Sequence, residues 1–135
     1  MLELLAPAGN LDAVIAAVQN GADAVYMGFG DGFNARRSAD NFTRESFAKA
    51  VRYCHIRGCK VYVTLNTLVG DREMDAAAAL AQQASDAGAD AILVQDLGLA
   101  RVLRAALPDI PLHASTQMSI HNLAGVEAAA EMGIT

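Results

Sequence analysis

An α/β fold built from five successive βα units is what the sequence predicts, arranged as the first part of a TIM-type (β/α)8 barrel. Short apolar runs alternate with helix-length amphipathic segments along all 135 residues, and several of these runs carry polar side chains at every second position. A hydrophobic content of 53% is enough for the core of one domain, residues 1–135. Because a complete barrel needs about 250 residues, we expect this domain to be an incomplete barrel.

Capping residues and glycines bound the first two units. The strand "LELLAP" precedes a helix that Asn10 caps and Gly21 ends. The strand "AVYMG" leads through a long connection to a helix from Thr43, which ends before Gly58. The phrase "GADA" begins at Gly21 and again at Gly88, each time between a helix and a strand, so the fold alone explains the repeat.

Units three to five follow the same plan. The strand "KVYVTLN" is followed by a helix from Asp71, the strand "AILVQ" by a helix from Leu97, and the strand "LHAST" by a helix from Asn122. Pro108 breaks the chain after the helix from Leu97, because proline cannot continue a helix. The last segment, "EMGIT", repeats the glycine junction at the place where a sixth strand is due.

Side-chain alternation in the strands favours a barrel over the alternative, a doubly wound open parallel sheet. Helices cover both faces of a doubly wound sheet, so its strands are apolar on both sides. Here the third and fifth strands each have one apolar and one polar face, and the polar faces carry Lys60, Tyr62, Thr64, Asn66, His113, Ser115 and Gln117. Glu3 interrupts the apolar face of the first strand, and we expect it to pair with Lys60 at the barrel floor.

Composition and charge exclude several classes of protein. A net charge of −5 argues against a broad nucleic-acid surface on this segment, although a local basic loop can still contact phosphate. No apolar run approaches the roughly 18 residues of a membrane span, and the start "MLELLAPAGN" lacks the regions of a signal peptide. We therefore expect a cytoplasmic protein without membrane contact, whose open sheet edges pair in a homo-oligomer.

The nearest approach to a metal motif is "CHIRGC", which offers Cys54, His55 and Cys59. Iron–sulfur ligation needs a set of about four thiolates, and two cysteines do not supply it. These residues also lie between a helix end and a strand start, the lower face of a barrel, where special residues usually serve stability. The sequence therefore predicts buried, reduced thiols and no metal site in this segment.

Candidate functional side chains lie at the carboxyl ends of the strands, where barrel enzymes place their chemistry. The catalytic candidates are His113, Ser115 and Asp96, and the substrate-binding candidates are Arg36, Asn66, Gln95 and Gln117. Arg36 and Arg37 belong to the long polar connection 29–42, and a guanidinium group can bind carboxylate or phosphate. Structural interpretations remain open beside these: Asp96 as a helix cap, Asn66 closing a turn and Ser115 bonding to backbone.

A self-contained peptidase site is not indicated by the residues. His113 and Ser115 share a strand face, but residues two apart on a strand lie about 6.5 Å apart at the backbone, which hinders a direct hydrogen bond. Neither a "GxSxG" nor an "HExxH" motif occurs in the chain.

The ordered set of segments "LELLAPAGNLDAVIAAVQNGADAVYMG", "FNAR", "VYVTLNT", "ILVQDLGL" and "LHASTQ" closely resembles the amino-terminal part of the collagenase-like proteases, peptidase family U32. The resemblance covers essentially the whole chain. It implies either collagen-degrading peptidase activity or oxygen-independent hydroxylation of ribosomal RNA, transfer RNA or a ubiquinone precursor. The "VQD" and "LHASTQ" segments are most similar to the branch that hydroxylates ribosomal RNA.

The resemblance also implies a cofactor and partners. Hydroxylating relatives hold a 4Fe–4S cluster on four cysteines that follow the matched region, and the ribosomal-RNA branch uses prephenate as the hydroxyl source. We therefore expect this segment to contribute part of a substrate-binding rim, with RNA or peptide as substrate of the full-length protein, and to be inactive alone. A non-catalytic binding or assembly module is the remaining alternative.

Overall fold

Five parallel strands form one sheet in the computed structural model, which describes residues 2–35 and 41–135. The strands are β1 (Leu5–Pro7), β2 (Ala24–Met27), β3 (Lys60–Leu65), β4 (Ala91–Val94) and β5 (Leu112–Ala114). They lie in chain order across the sheet, and every neighbouring pair is parallel. A doubly wound sheet reverses its strand order partway across, so this order excludes the open-sheet alternative and confirms the barrel-type arrangement.

The helices alternate with the strands, as the sequence predicts. Within the described residues they are α1 (Leu11–Gln19), α2 (Arg44–His55), α3 (Met74–Asp86), α4 (Leu97–Ala106) and α5 (Leu123–Glu131). Four of them begin at a side-chain cap that accepts the backbone N–H three residues later, and the capping residues are Asn10, Thr43, Asp96 and Asn122.

The start of α3 differs from the prediction. The helix begins at Met74 and not at Asp71, because the chain first closes a turn. In that turn the Gly70 N–H donates to Glu73 Oε2 at 2.9 Å, and the Glu73 N–H donates to the Gly70 carbonyl at 2.8 Å. Asp71 therefore belongs to the loop at the end of β3.

Each strand is shorter than predicted, and β1 and β5 differ by two residues or more. β1 begins at Leu5, so Glu3 precedes the strand and does not belong to it. β5 ends at Ala114, because Thr116–Met118 form a short 3₁₀ helix. Gln117 is thereby removed from the strand face on which the sequence analysis placed it, and its side chain is exposed.

Helices cover one face of the sheet. Val25, Met27, Val61 and Val63 pack in one buried cluster with residues of α1 and α2. A second cluster joins Leu65, Ile92, Val94 and Leu112 to α3, α4 and a residue of α5. The opposite face, here called the inner face, carries Ala24, Tyr62 and Ala91 with the partly buried Tyr26 and Leu93. Such one-sided coverage is what a barrel wall requires.

The repeated "GADA" phrases perform the same structural task. Gly21 and Gly88 adopt φ of +90° and +99°, left-handed values that end α1 and α3. Two residues further on, the Asp23 carboxylate accepts the Leu4 N–H at 2.7 Å, and the Asp90 carboxylate accepts the Val61 N–H at 2.7 Å. Each aspartate thus ties the start of its own strand to a neighbouring strand.

Beyond α5, Gly133 repeats the left-handed turn with φ of +75°. Ile134 then forms a parallel bridge with Leu112, and the Thr135 N–H donates to the Leu112 carbonyl at 2.8 Å. The segment at Ile134 and Thr135 therefore pairs with the outer edge of β5, at the place where the sequence predicts a sixth strand. None of the helices in the described part of the chain has the length and apolar character that a membrane crossing requires.

Candidate functional site

A chain of polar contacts crosses the inner face of the sheet. Lys60 Nζ lies 3.2 Å from Glu3 Oε2, which confirms the predicted ion pair. The Tyr62 hydroxyl donates to the same carboxylate, at 2.8 and 2.9 Å from its two oxygens. The ring of His113 meets the Tyr62 ring edge-on, with centroids 4.8 Å apart and an interplanar angle of 86°. The contacts link the segment before β1 to β3 and β5.

Tyr62 is a neutral donor in this chain. Its side chain is buried, and burial raises its pKa; the hydrogen bond to Glu3 acts in the same direction. The hydroxyl therefore keeps its proton and donates a hydrogen bond to the Glu3 carboxylate. This arrangement fixes the orientation of the ring against which His113 packs.

His113 places an imidazole on the inner face of the sheet, beside Tyr62. Burial lowers its pKa below the usual 6.5, the Glu3 carboxylate opposes that shift, and Lys60 adds to it. A neutral imidazole presents one donor and one acceptor nitrogen. Neither nitrogen has a hydrogen-bond partner among the described residues, so both keep their hydrogen-bonding capacity.

The carboxyl ends of β3 and β5 are joined through Asn66. Its amide oxygen accepts the Ala35 N–H at 3.1 Å, and its amide nitrogen donates to Ser115 Oγ at 3.3 Å. Ser115 Oγ also accepts the Gln117 N–H at 3.2 Å, the backbone role that the sequence analysis left open. No hydrogen bond joins Ser115 to His113 in the described residues, so the two do not form a nucleophile and base pair.

Asp96 has both carboxylate oxygens engaged by backbone. Oδ1 accepts the Leu99 N–H at 2.8 Å as the cap of α4, and Oδ2 accepts the Val69 N–H at 3.4 Å. The capping interpretation is therefore confirmed. Gln95 lies apart from this cap, in the wall of an apolar cavity of about 240 Å³ between the start of α4 and α5.

The predicted substrate-binding Arg36, with Arg37, lies outside the described residues. The ends of their connection are well defined: Phe29 and Phe42 form a parallel bridge, and the Phe29 ring contacts Phe47 with centroids 4.7 Å apart. The long connection after β2 is thus closed at its base.

The structure has a cavity at the carboxyl end of the sheet that the sequence did not predict. This rim cavity has a volume of about 340 Å³ and lies between the β2–α2 and β3–α3 loops. Its walls are Asp31, Gly32, Phe33, Asn34, Asn41, Thr67, Leu68 and Glu73. The sequence indicated the first loop as functional by its length and its Gly, Asn and Asp content, but it did not show that the second loop faces it.

The residues of the chain do not fit an iron–sulfur cluster. Cys54 and Cys59 are free and buried, and burial raises the pKa of Cys54 to about 12. Cluster ligands must be thiolates, which this environment disfavours. In the described part of the chain no group of three or more His, Cys, Asp or Glu side chains could hold a metal ion. A cluster in the full-length protein would need ligands from outside these 135 residues.

Comparison with known proteins places the chain in a family. Residues 9–135 match the model of Peptidase family U32. The chain belongs to this family. The match confirms the resemblance carried by the ordered sequence motifs.

Curated members of similar sequence carry different activities in their names. The chain is 40% identical over 134 residues to a 23S rRNA 5-hydroxycytidine synthase of Escherichia coli K12, covering 99% of the chain and 20% of that protein. It is 39% identical over 132 residues to a tRNA hydroxylation protein of Bacillus subtilis, covering 98% and 31%. It is 36% identical over 121 residues to a collagenase of Porphyromonas gingivalis, covering 89% and 28%. The chain thus spans between a fifth and a third of the length of these relatives.

Solved structures support the fold. A U32 peptidase superposes with a TM-score of 0.76 at 16% identity, over 99% of this chain and 56% of that one. A phosphonopyruvate hydrolase superposes with a TM-score of 0.63 at 21% identity, over 98% and 52%. At these identities the likeness concerns the fold alone, and it agrees with a barrel-type wall of consecutive βα units.

Proposed function

We propose that this chain is the amino-terminal barrel segment of an enzyme that hydroxylates RNA, with a pyrimidine nucleoside as the target. The observation that carries the proposal is the 40% sequence identity to the ribosomal-RNA hydroxycytidine synthase over 134 residues. The identity to the tRNA hydroxylation protein of Bacillus subtilis is 39%. The collagenase is less similar, at 36% over 121 residues.

The geometry of the site agrees better with this activity than with peptide hydrolysis. A serine peptidase needs a nucleophile within hydrogen-bond reach of its base, whereas Ser115 Oγ is bonded to Asn66 and to backbone. His113 has free nitrogens but no neighbouring nucleophile among the described residues. The segment therefore supplies a proton-transferring group and a shaped rim, and we propose that the remaining catalytic parts come from outside it.

The role of His113 in this proposal is to hold or move a proton at the substrate. A neutral imidazole can accept a proton near neutral pH, which general base catalysis requires. Tyr62 and Glu3 hold the ring in place without hydrogen-bonding to it, so its nitrogens stay available. A 4Fe–4S cluster, if present, would rest on cysteines outside this chain, and the buried Cys54 and Cys59 would take no part in it.

The test is removal and replacement of the gene. Ribosomal and transfer RNA from a deletion strain are digested to nucleosides, and hydroxylated pyrimidines are measured by mass spectrometry. We expect one such nucleoside to disappear and to return with the wild-type gene but not with His113→Ala. The matched control is His121→Ala, because His121 is exposed and bonds only to the Ser119 carbonyl among the described residues.

The peptidase alternative makes the opposite prediction. If the purified full-length protein degrades denatured collagen, and the deletion strain retains every hydroxylated nucleoside, the hydroxylase proposal is wrong. Activity on collagen that survives His113→Ala would in addition exclude His113 from the peptidase site.

A further inference from the structure

We infer that the rim cavity is the subsite for the target nucleoside, and that it binds the uncharged cytosine and ribose groups instead of a phosphate. This inference rests on the proposed function. The cavity opens at the carboxyl end of the sheet, the end at which barrel enzymes bind their substrates. Its volume of about 340 Å³ lies within the range of about 300–1,000 Å³ that is usual for small-molecule sites.

The first wall of the cavity is held by a network of amides. Asn41 Nδ2 donates to the Gly30 carbonyl at 2.8 Å, and Asn34 Nδ2 donates to Asn41 Oδ1 at 3.0 Å. These side chains occupy the space beside Gly28, where any Cβ would overlap both amides. Because the wall is fixed by internal bonds, little ordering is needed when a ligand binds.

The second wall is tied to the first through β3. Asn66, the residue after β3, accepts the Ala35 N–H from the β2–α2 loop. Glu73 closes the turn of the β3–α3 loop by accepting the Gly70 N–H through one oxygen, Oε2. The two loops are therefore held at a set separation, as a preformed subsite requires.

Charge decides which ligand groups fit. Among the described residues, the lining includes two carboxylates, Asp31 and Glu73, and neither Lys nor Arg. Carboxylates only accept hydrogen bonds, so they favour ribose hydroxyls and the amino group of cytosine and repel phosphate and carboxylate groups. At position 4 uracil presents a carbonyl oxygen where cytosine presents its amino group, so a carboxylate that meets position 4 favours cytosine over uracil.

Phe33 gives the cavity an aromatic surface. The residue has φ of +55°, a left-handed value that is uncommon outside glycine, and its side chain packs partly against the core. Aromatic side chains commonly stack on bases that have left a helix or loop of RNA. Leu68, exposed over 73% of its surface, adds an apolar edge on the opposite loop.

The test measures binding and does not depend on catalysis. Cytidine, uridine, cytidine 5′-monophosphate and inorganic phosphate are titrated separately into the full-length protein by calorimetry. We expect cytidine to bind more tightly than uridine, and neither added 5′-phosphate nor phosphate alone to bind better. The double variant Asp31→Asn, Glu73→Gln should weaken cytidine binding about tenfold or more, as expected for the loss of hydrogen bonds to charged acceptors.

The matched control is Asp75→Asn, which removes an exposed carboxylate from the first turn of α3 without touching the lining. Equal cytidine affinity of the wild type and the double variant, or tighter binding of phosphate than of cytidine, would overturn the inference. The proposed function fails separately: if cytidine binds as described but the deletion strain keeps all hydroxylated nucleosides, the subsite stands and the activity is wrong. If the hydroxylated nucleoside disappears from the deletion strain but the double variant binds cytidine normally, the activity stands and the subsite is wrong.

Discussion

The Tyr62 hydroxyl donates to the Glu3 carboxylate at 2.8 Å, across a sequence separation of 59 residues. This bond attaches the segment ahead of β1, at one edge of the sheet, to the middle of β3. Leu2 and Leu4 in that segment are exposed, so apolar burial contributes little to holding it. The segment is therefore held by hydrogen bonds: those of Glu3, that of the Asp23 carboxylate with the Leu4 N–H, and those of the Asp23 and Ala24 N–H groups with the Leu4 carbonyl.

Removing the hydroxyl should loosen that segment. We expect Tyr62→Phe to cost about 1.5 kcal/mol of local stability, the low end for a bond to a charged group, because the carboxylate is partly exposed and regains water. Hydrogen exchange of amides 2–6 in the full-length protein should become faster. Tyr26→Phe is the matched control, since its hydroxyl has no hydrogen bond with the described residues. Unchanged exchange in Tyr62→Phe would contradict this attachment.

The two aspartates of the "GADA" phrases should differ in cost when removed. Asp90→Ala leaves the N–H of the fully buried Val61 without its partner, which costs about 1–3 kcal/mol. Asp23→Ala leaves the N–H of the exposed Leu4, which can bond to water, so we expect about 1 kcal/mol or less. Urea unfolding of the full-length variants measures both. Asp90 also contacts His55, and the variant His55→Gln measures how much of the loss in Asp90→Ala comes from that contact. A larger loss of stability for Asp23→Ala than for Asp90→Ala would refute the argument from burial.

Asp96 should prove to be a structural residue. Asp96→Ala removes the cap of α4 and should cost about 0.5–2 kcal/mol, whereas Asp96→Asn keeps an oxygen that can accept the Leu99 N–H and should cost less. We expect Asp96→Asn to retain the RNA modification that the gene deletion abolishes. Loss of modification in a variant that unfolds like the wild type would instead make the carboxylate catalytic.

Local pattern was sufficient to predict the elements of this fold. The Asn10 cap, the glycine junctions and the alternation in β3 depend on neighbours within a few residues, and each was confirmed. The Glu3 and Lys60 pair could also be inferred, because both residues were placed on the polar face at the starts of their strands. Most helices and strands of the fold could therefore be predicted from residues that are close together in the sequence.

Long-range register and turn closure were not predictable from pattern. Tyr62 was placed on the polar face of β3, but its bond to Glu3 requires the position of a segment two strands away. Gln117 was expected to extend the face of β5, and Ser115 instead starts a 3₁₀ turn by accepting the Gln117 N–H. The rim cavity depends on two loops that face each other only after β2 and β3 have paired.

His113 gives a pH dependence whose sign follows from its environment. Its folded-state pKa lies below the usual 6.5, so the unfolded chain binds a proton at His113 more readily than the folded chain. The residue therefore has no effect on stability above the unfolded pKa, and stability is lost as the pH falls below about 6.5 toward the folded pKa. His113→Phe keeps an aromatic ring beside Tyr62 but cannot titrate, so its unfolding free energy should fall less between about pH 7.5 and about pH 5.5. Equal falls in the wild type and in His113→Phe would show that the folded environment of His113 does not disfavour its charged form, with His121→Phe as the control for an exposed histidine.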